Sequence, residues 1–96
     1  MLFVVIATDK PDSLALRMET REAHFAYARE TGVIKLGGPF LDSHGEMAGS
    51  LIIFEADDIE AAKAWHANDP YVKSGLFAHS EVRPWKLTFN PIGTEF

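Results

Sequence analysis

The spacing of apolar and polar residues along the chain predicts two kinds of element. Short apolar runs bounded by turn-forming residues are typical of strands, whereas long stretches without Gly or Pro are typical of helices. By these criteria we predict strands at 2–7, 33–41, 48–56 and 77–89, and helices at 13–31 and 57–68. The segment "NDPYVKSGLF", residues 68–77, adds a short helical turn before the last strand. The predicted order is βαββαβ.

This order predicts a ferredoxin-like α+β fold, with an antiparallel sheet and two helices on one of its faces. In that topology the first and third strands are central. Their apolar runs "FVVI" and "LIIF" are typical of strands covered on both faces. Pro84 places the last strand at an edge, because proline has no backbone N–H to donate a hydrogen bond to a neighbouring strand. Two helices cover only one face, so we expect a homodimer packed sheet to sheet.

Capping residues mark the ends of the predicted helices. Ser13 is a good N-cap for the first helix, and Gly32 offers a left-handed stop. Asp57 and Glu60 have the spacing of a capping box for the second helix. Asp69 stands directly before a proline, where its carboxylate can cap the free N–H groups of a helical turn.

Composition and charge narrow the classes of function. The net charge of −5 and the pI of about 5.2 give no basic surface for nucleic acid or anionic lipid, so we expect neither partner. The chain has no cysteine, which excludes a disulfide framework, a thiolate metal site and a cysteine nucleophile.

The length and the first residues predict the organisation of the chain and its location. Ninety-six residues with 47% hydrophobic and 24% charged content predict one globular domain over 1–96. The apolar start "MLFVVIATDK" is too short to span a bilayer and lacks the basic start and cleavage site of a signal peptide. We therefore expect a cytoplasmic protein without a membrane partner.

The first helix carries an unusual line of cations. Leu14, Met18 and Phe25 fall within a narrow arc, and we expect that arc to face the sheet. Beside it run Arg17, Arg21, His24 and Ala28, at spacings of four, three and four. One interpretation is structural, with the arginine stems along the edge of the core and their charged heads in water. The other is a pocket in which His24 is an acid/base group and Asp69 holds its ring.

Four segments run in the order and at close to the spacing of a known family: "MLFVVIATDKPDSLALRMETREAHFAY", "GGPF", "GSLIIFEADDIEAAKAWHANDPYVKSGLF" and "VRPWK". On these segments the chain resembles the YCII-related (YciI-like) family over nearly its whole length. The resemblance implies a dimeric α+β barrel built from ferredoxin-like protomers. It also implies an active site with a His from the first helix and an Asp from the Asp-Pro turn, here His24 and Asp69. Candidate substrate-binding residues around them are Arg17, Arg21, Gly38, Pro39, Ser50 and Tyr71.

A His–Asp pair is suited to proton transfer, because the carboxylate fixes the tautomer of the ring. Arg21 could hold an enolate, phenolate or carboxylate of a small-molecule ligand. This predicts cofactor-independent lyase or isomerase chemistry on a small oxygenated or aromatic organic anion; one family relative is similar to a dehydrochlorinase of chlorinated hydroxyquinols. Ser50 could complete a Ser/His/Asp set, but no G-x-S-x-G segment supports acyl transfer.

Two alternatives remain open at this point. The same pocket could bind a ligand without turnover, in a non-catalytic accessory protein, or the His–Asp contact could merely join the first helix to the Asp-Pro turn. The sequence assigns no role to His44, His66 or His79. No H-x-H or H-E-x-x-H spacing is present, so we expect no metal site.

Overall fold

A computed structural model describes residues 1–96 and shows a four-stranded antiparallel sheet with helices on one face. In chain order the elements are β1 (Leu2–Asp9), α1 (Leu14–Thr31), β2 (Ile34–Gly38), β3 (Gly49–Glu55), α2 (Ile59–Ala67), α3 (Pro70–Lys73) and β4 (Phe77–Trp85). This is the predicted ferredoxin-like βαββαβ order, with the short α3 between α2 and β4. The predicted fold class is confirmed.

The strand order across the sheet is β2-β3-β1-β4, so β1 and β3 are central and β2 and β4 are the edges. Val5 of β1 lies opposite Ile52 of β3 on one side and Val82 of β4 on the other. Pro84 lies in the edge strand β4, opposite Phe3. Both positional predictions are therefore confirmed, since the apolar runs occupy the centre and the proline an edge.

The main core lies between the sheet and the helices. Its buried members are Phe3, Val5, Ala7, Ile52, Phe54 and Ala62. Successive strand residues point to opposite faces, so Val4, Ile6, Leu51 and Ile53 lie on the other face, which carries no helix. This second, apolar face is defined by those four residues and is called the outer face below.

Hydrogen bonds around Trp65 fix the end of α1 against α2. The Tyr27 hydroxyl donates to the Trp65 carbonyl at 2.7 Å, and the Trp65 indole N–H donates to the Thr31 hydroxyl oxygen at 3.0 Å. That hydroxyl in turn donates to the Tyr27 carbonyl at 2.9 Å. The Trp65 ring also stacks on Phe54 in the core, with centroids 4.3 Å apart. The two helices therefore hold a fixed relative position.

The orientation of α1 differs from the prediction. Leu14, Met18 and Phe25, which were expected to face the sheet, are 37%, 46% and 37% exposed, whereas the buried side chains are Arg17 and His24. Burial of such polar groups is tolerable only where each finds a partner, and here each finds a carboxylate. The helix therefore turns Arg17 and His24 inward. None of the helices combines the length and the apolar composition of a membrane span.

Some predicted ends and caps also need correction. The N-cap of α2 is Asp58 rather than Asp57, because the Asp58 carboxylate accepts the Ala61 N–H at 2.8 Å. Ser13 occupies the N-cap position of α1 but its side chain does not cap the helix. Gly32 adopts the expected left-handed conformation, with φ of 65°. The strands β2 and β4 end before their predicted limits, at Gly38 and Trp85.

Candidate active site

A cavity of about 300 Å³ lies between α1 and the half of the sheet formed by β2 and β3. From α1 it is lined by Arg17, Arg21, His24, Phe25 and Ala28, from β2, β3 and their connection by Ile34, Gly37, Gly38, Pro39, Met47, Ser50 and Ile52, and from α3 by Tyr71. Every candidate site residue named from the sequence lines this cavity except Asp69, which lies behind His24. The structure therefore brings the whole candidate set together.

The Asp69 carboxylate has two simultaneous contacts. Its Oδ1 accepts the Tyr71 backbone N–H at 2.9 Å, which caps α3 at its start. The same carboxylate lies 2.9 Å and 3.1 Å from Nδ1 of His24, through Oδ1 and Oδ2. The Asp69 side chain is completely buried. One residue thus both begins the helical turn and holds the imidazole.

The geometry of His24 leaves one ring nitrogen free. Because the buried carboxylate of Asp69 accepts a hydrogen bond from Nδ1, the neutral ring carries its proton there and has a lone pair on Nε2. Nε2 has no hydrogen-bond partner in the protein. It is not cut off from solvent, and the residue lines the cavity. The ring stacks on Tyr71, with centroids 4.2 Å apart and planes inclined by 17°. The imidazole at the cavity wall is therefore held in a fixed orientation, with Nε2 free of protein partners.

Arg17 is the centre of a second buried network. Its Nε and Nη2 donate to the two carboxylate oxygens of Asp9 at 2.7 Å and 2.9 Å, and Nη2 also donates to the Gly49 carbonyl and the Ser50 hydroxyl, each at 2.8 Å. Burial by itself would lower the pKa of Arg17, but the hydrogen bonds and charge of Asp9, with a smaller contribution from Tyr71, outweigh it, and the pKa lies above its ordinary value. Arg17 is therefore permanently charged and already paired.

Arg21 differs from Arg17 in having no ion pair. No carboxylate lies within 4.0 Å of its guanidinium, which stands over the Phe25 ring at 5.1 Å from the centroid. The residue is exposed to solvent and lines the cavity. Arg21 is thus the cation that remains available to an anionic ligand.

Asp9 is the residue that sequence reasoning missed. Its side chain is only 5% exposed and forms the bidentate pair with Arg17. In the sequence it precedes the turn "KPDS" and is indistinguishable from the turn-forming residues around it. The one available signal was that a cation beside the core, on α1, needs a carboxylate as its partner.

The remaining histidines lie outside the cavity. His44 and His79 are exposed, whereas His66 is 8% exposed, with Nε2 3.0 Å from the Ser80 hydroxyl and no partner for Nδ1. Burial lowers the pKa of His66, against the opposing charge of Asp69. No group of three His, Asp or Glu side chains is arranged to hold a metal ion.

Comparison with known proteins identifies the family of this chain. The family model of the YCII-related domain matches residues 1–86. The chain belongs to the YCII-related family. Protein YciI from Escherichia coli O6:H1 is 40% identical over 98 residues, which cover 93% of this chain and all of the relative. An uncharacterized protein of Haemophilus influenzae is 35% identical with the same coverage.

A solved structure of the same fold comes from a characterised enzyme. It is the 5-chloro-2-hydroxyhydroquinone dehydrochlorinase TftG from Burkholderia phenoliruptrix AC1100, in complex with 2,5-dihydroxybenzoquinone. TftG is 37% identical to the YCII-related chain, with a TM-score of 0.82, and the match covers 90% of this chain and 94% of TftG. The YCII-related fold is therefore shared with an enzyme that acts on a small, oxygenated ring.

Proposed function

We propose that this YCII-related protein is a small enzyme that transfers a proton on a small oxygenated or aromatic organic anion, in lyase or isomerase chemistry. The observation that carries the proposal is the pairing of His24 with Asp69, which leaves Nε2 of His24 unpaired at the cavity wall. A general base must lie within hydrogen-bonding reach of the proton that it removes, and a ligand in the cavity would satisfy this requirement.

In this proposal Asp69 orients the base and stabilises its charged form. When Nε2 accepts a proton from the substrate, the ring becomes an imidazolium, and the carboxylate at 2.9 Å offsets the new charge. Complete burial of Asp69 keeps water from competing for that contact. A base of this kind acts without a metal or a redox partner.

Arg21 is assigned to the anionic part of the substrate. It is the cavity cation that no carboxylate neutralises, and a guanidinium binds planar anions through two parallel hydrogen bonds. Phe25, Ile34 and Ile52 supply apolar walls, which suit a flat ring or an unsaturated chain. Gly38 and Pro39 add a wall without large side chains.

The chemistry of TftG supports elimination as one form of the reaction. Loss of HCl from a chlorinated quinol requires a base to accept a proton, while chloride leaves with the electron pair of the C–Cl bond. The proton and the chloride balance the step, so no oxidant is needed. The same base would support isomerisation if the proton returned to a different carbon of the substrate.

The proposal includes a homodimer packed sheet to sheet. The outer face carries no helix, and its residues Ile6 and Leu51, in the two central strands, are only half-buried, whereas Val4 and Ile53 are buried within the protomer. The protomer has an accessible surface of 6080 Å². The scaling law for folded monomers gives about 5,500 Å² for a 10.7 kDa chain, so the protomer exposes more surface than a typical monomer of its mass.

The test uses 5-chloro-2-hydroxyhydroquinone as the first substrate, followed by a panel of halogenated phenols and unsaturated acids. Chloride release is measured by ion chromatography, and proton exchange with solvent by NMR in deuterium oxide. We expect turnover by the wild type that falls at least about 100-fold in His24→Asn and Asp69→Asn, the usual contribution of a general base. His44→Asn is the matched control, because His44 is exposed and outside the cavity.

The outcomes separate the three interpretations. Equal turnover by folded His24→Asn and by the wild type contradicts proton transfer by His24. Binding of panel members that depends on Arg21, without turnover of any of them, indicates the non-catalytic ligand-binding protein. A lower melting temperature in the variants, with neither binding nor turnover by the wild type, indicates a purely structural His24–Asp69 contact.

A further inference from the structure

Two buried residues with hydroxyl groups line the same cavity as the candidate base. Ser50 and Tyr71 are 4% and 3% exposed, and both line the cavity. The Ser50 oxygen accepts a hydrogen bond from Arg17, but its own hydrogen has no acceptor in the protein. The Tyr71 hydroxyl likewise donates to no protein group, while its ring stacks on His24. The cavity therefore contains two hydroxyl donors without acceptors.

Arg17 makes both hydroxyls better donors. Its Nη2 donates to the Ser50 oxygen at 2.8 Å, and this charge-assisted bond polarises the Ser50 O–H. The guanidinium carbon also lies 4.8 Å from the centroid of the Tyr71 ring. Asp9 holds the guanidinium in place through two hydrogen bonds. Arg17 therefore contacts both residues that carry the hydroxyls.

The protonation of Tyr71 suits a donor. Burial raises the pKa of the Tyr71 phenol above its ordinary value, and the nearby Arg17 only partly opposes this effect. The phenol therefore keeps its proton at neutral pH. It donates a hydrogen bond and does not act as a base.

The same geometry argues against Ser50 as a nucleophile. His24 makes no hydrogen bond to Ser50, so nothing is placed to remove the hydroxyl proton. The bond from Arg17 occupies a lone pair of the oxygen that would have to attack. Ser50 lies within the third strand, whereas a serine nucleophile of the hydrolase type stands on a sharp strand-to-helix turn.

We propose that Ser50 and Tyr71, supported by Arg17, form an oxyanion site, and that the substrate is an enol or phenol bound through its conjugate base. This inference rests on the proposed function, because His24 is the base whose action places negative charge on the substrate oxygen. As His24 takes the proton, the electron pair moves to that oxygen, which then accepts hydrogen bonds from both hydroxyls. Such donors act most strongly in a buried site, where water does not compete.

The test measures how 4-nitrophenol binds, because its phenolate absorbs visible light and its phenol does not. We expect the wild type to bind the phenolate, with an affinity that is constant above the ionisation of the free ligand and falls about tenfold per pH unit below it. Ser50→Ala and Tyr71→Phe should each weaken phenolate binding at least about tenfold, the lower end of the effect of losing one hydrogen bond to a charged group. His24→Gln should retain the preference for phenolate.

Matched controls separate this effect from a general loss of structure. Tyr27→Phe removes a hydroxyl that bonds to the Trp65 carbonyl away from the cavity, and Ser43→Ala removes one on an exposed turn. Both should bind phenolate as the wild type does. The pH dependence of the wild type provides a readout that needs no variant.

Three results would overturn the oxyanion site. They are binding of the neutral phenol in preference to the phenolate, unchanged phenolate affinity in both Ser50→Ala and Tyr71→Phe, and no binding by the wild type at millimolar ligand. Phenolate binding that persists in His24→Gln, with no turnover by the wild type, supports the oxyanion site while removing the proposed function.

Discussion

The Asp69 carboxylate lies 2.9 Å from Nδ1 of His24, and the oxygen that makes this contact also accepts the backbone N–H at the start of α3. The two residues are 45 positions apart in the chain. The orientation of the imidazole is therefore coupled to the local structure of the Asp-Pro turn. A change at Asp69 affects both, whereas a change at His24 leaves the cap in place.

Replacing Asp69 by Asn should alter the tautomer of His24. The carboxylate only accepts hydrogen bonds, so it keeps the proton of the neutral ring on Nδ1, whereas an amide can also donate to that nitrogen. The nitrogen chemical shifts of the ring should report the Nδ1–H form in the wild type and a mixture in Asp69→Asn. The exposed ring of His44 serves as an internal control. A wild-type ring with its proton on Nε2 would contradict the prediction.

Breaking the Arg17–Asp9 pair should destabilise the fold strongly. In Arg17→Met the Asp9 carboxylate loses both of its hydrogen bonds while it is still buried, and losses of this kind cost about 3 to 5 kcal/mol in the free energy of unfolding. Urea unfolding measures the change. The control is Lys35→Met, which breaks the more exposed pair with Glu55 and should cost less than about 1 kcal/mol. Equal losses in the two variants would refute the special role of the buried pair.

His66 should make the protein less stable in mild acid. Its burial lowers the pKa in the folded state, while the unfolded chain binds the same proton at about pH 6.5. The unfolded state therefore holds more protons below that pH, and the free energy of unfolding should fall as the pH drops through this range. Thermal unfolding between pH 8 and pH 5 should show this fall in the wild type. Its size is about 1.36 kcal/mol for each unit by which the pKa differs between the folded and unfolded states.

The variant His66→Gln tests the source of this pH dependence. It keeps a polar side chain near the Ser80 hydroxyl but removes the titrating ring, so its stability should change less between pH 7 and pH 5. His44→Gln should behave as the wild type does, because His44 lies on an exposed turn. An identical pH profile for the wild type and His66→Gln would assign the acid sensitivity to other groups.

A charge on the outer face should prevent the proposed dimer. Leu51 lies opposite Ile6 on that face, and Leu51→Glu would place a carboxylate in the middle of the apolar interface. Light scattering at micromolar concentration should give twice the 10.7 kDa chain mass for the wild type and a single chain for the variant. Leu14→Glu, on α1 and away from the sheet, should remain dimeric. A single-chain mass for the wild type would eliminate the dimer.

The sequence by itself determined the elements and the order of the strands. The runs at β1 and β3 are apolar on both sides of the pleat, Gly32 supplies the left-handed stop, and Pro84 cannot donate to a ladder. Each of these effects acts through the residue's own backbone or its nearest neighbours. They can therefore be inferred without knowing what packs against the element.

Only the tertiary structure decided which face of α1 is buried. The hydrophobic periodicity predicted that Leu14 and Phe25 face inward. This prediction was wrong because periodicity takes no account of ion pairs, and a cation paired with a buried carboxylate can itself be buried. Arg17 meets Asp9 across a turn and Ser50 across 33 positions, and neither distance leaves a local signal. The pairing of His24 with Asp69 was expected from the family resemblance, but the free nitrogen and the unpaired hydroxyls beside it depend on packing between elements that are remote in the chain.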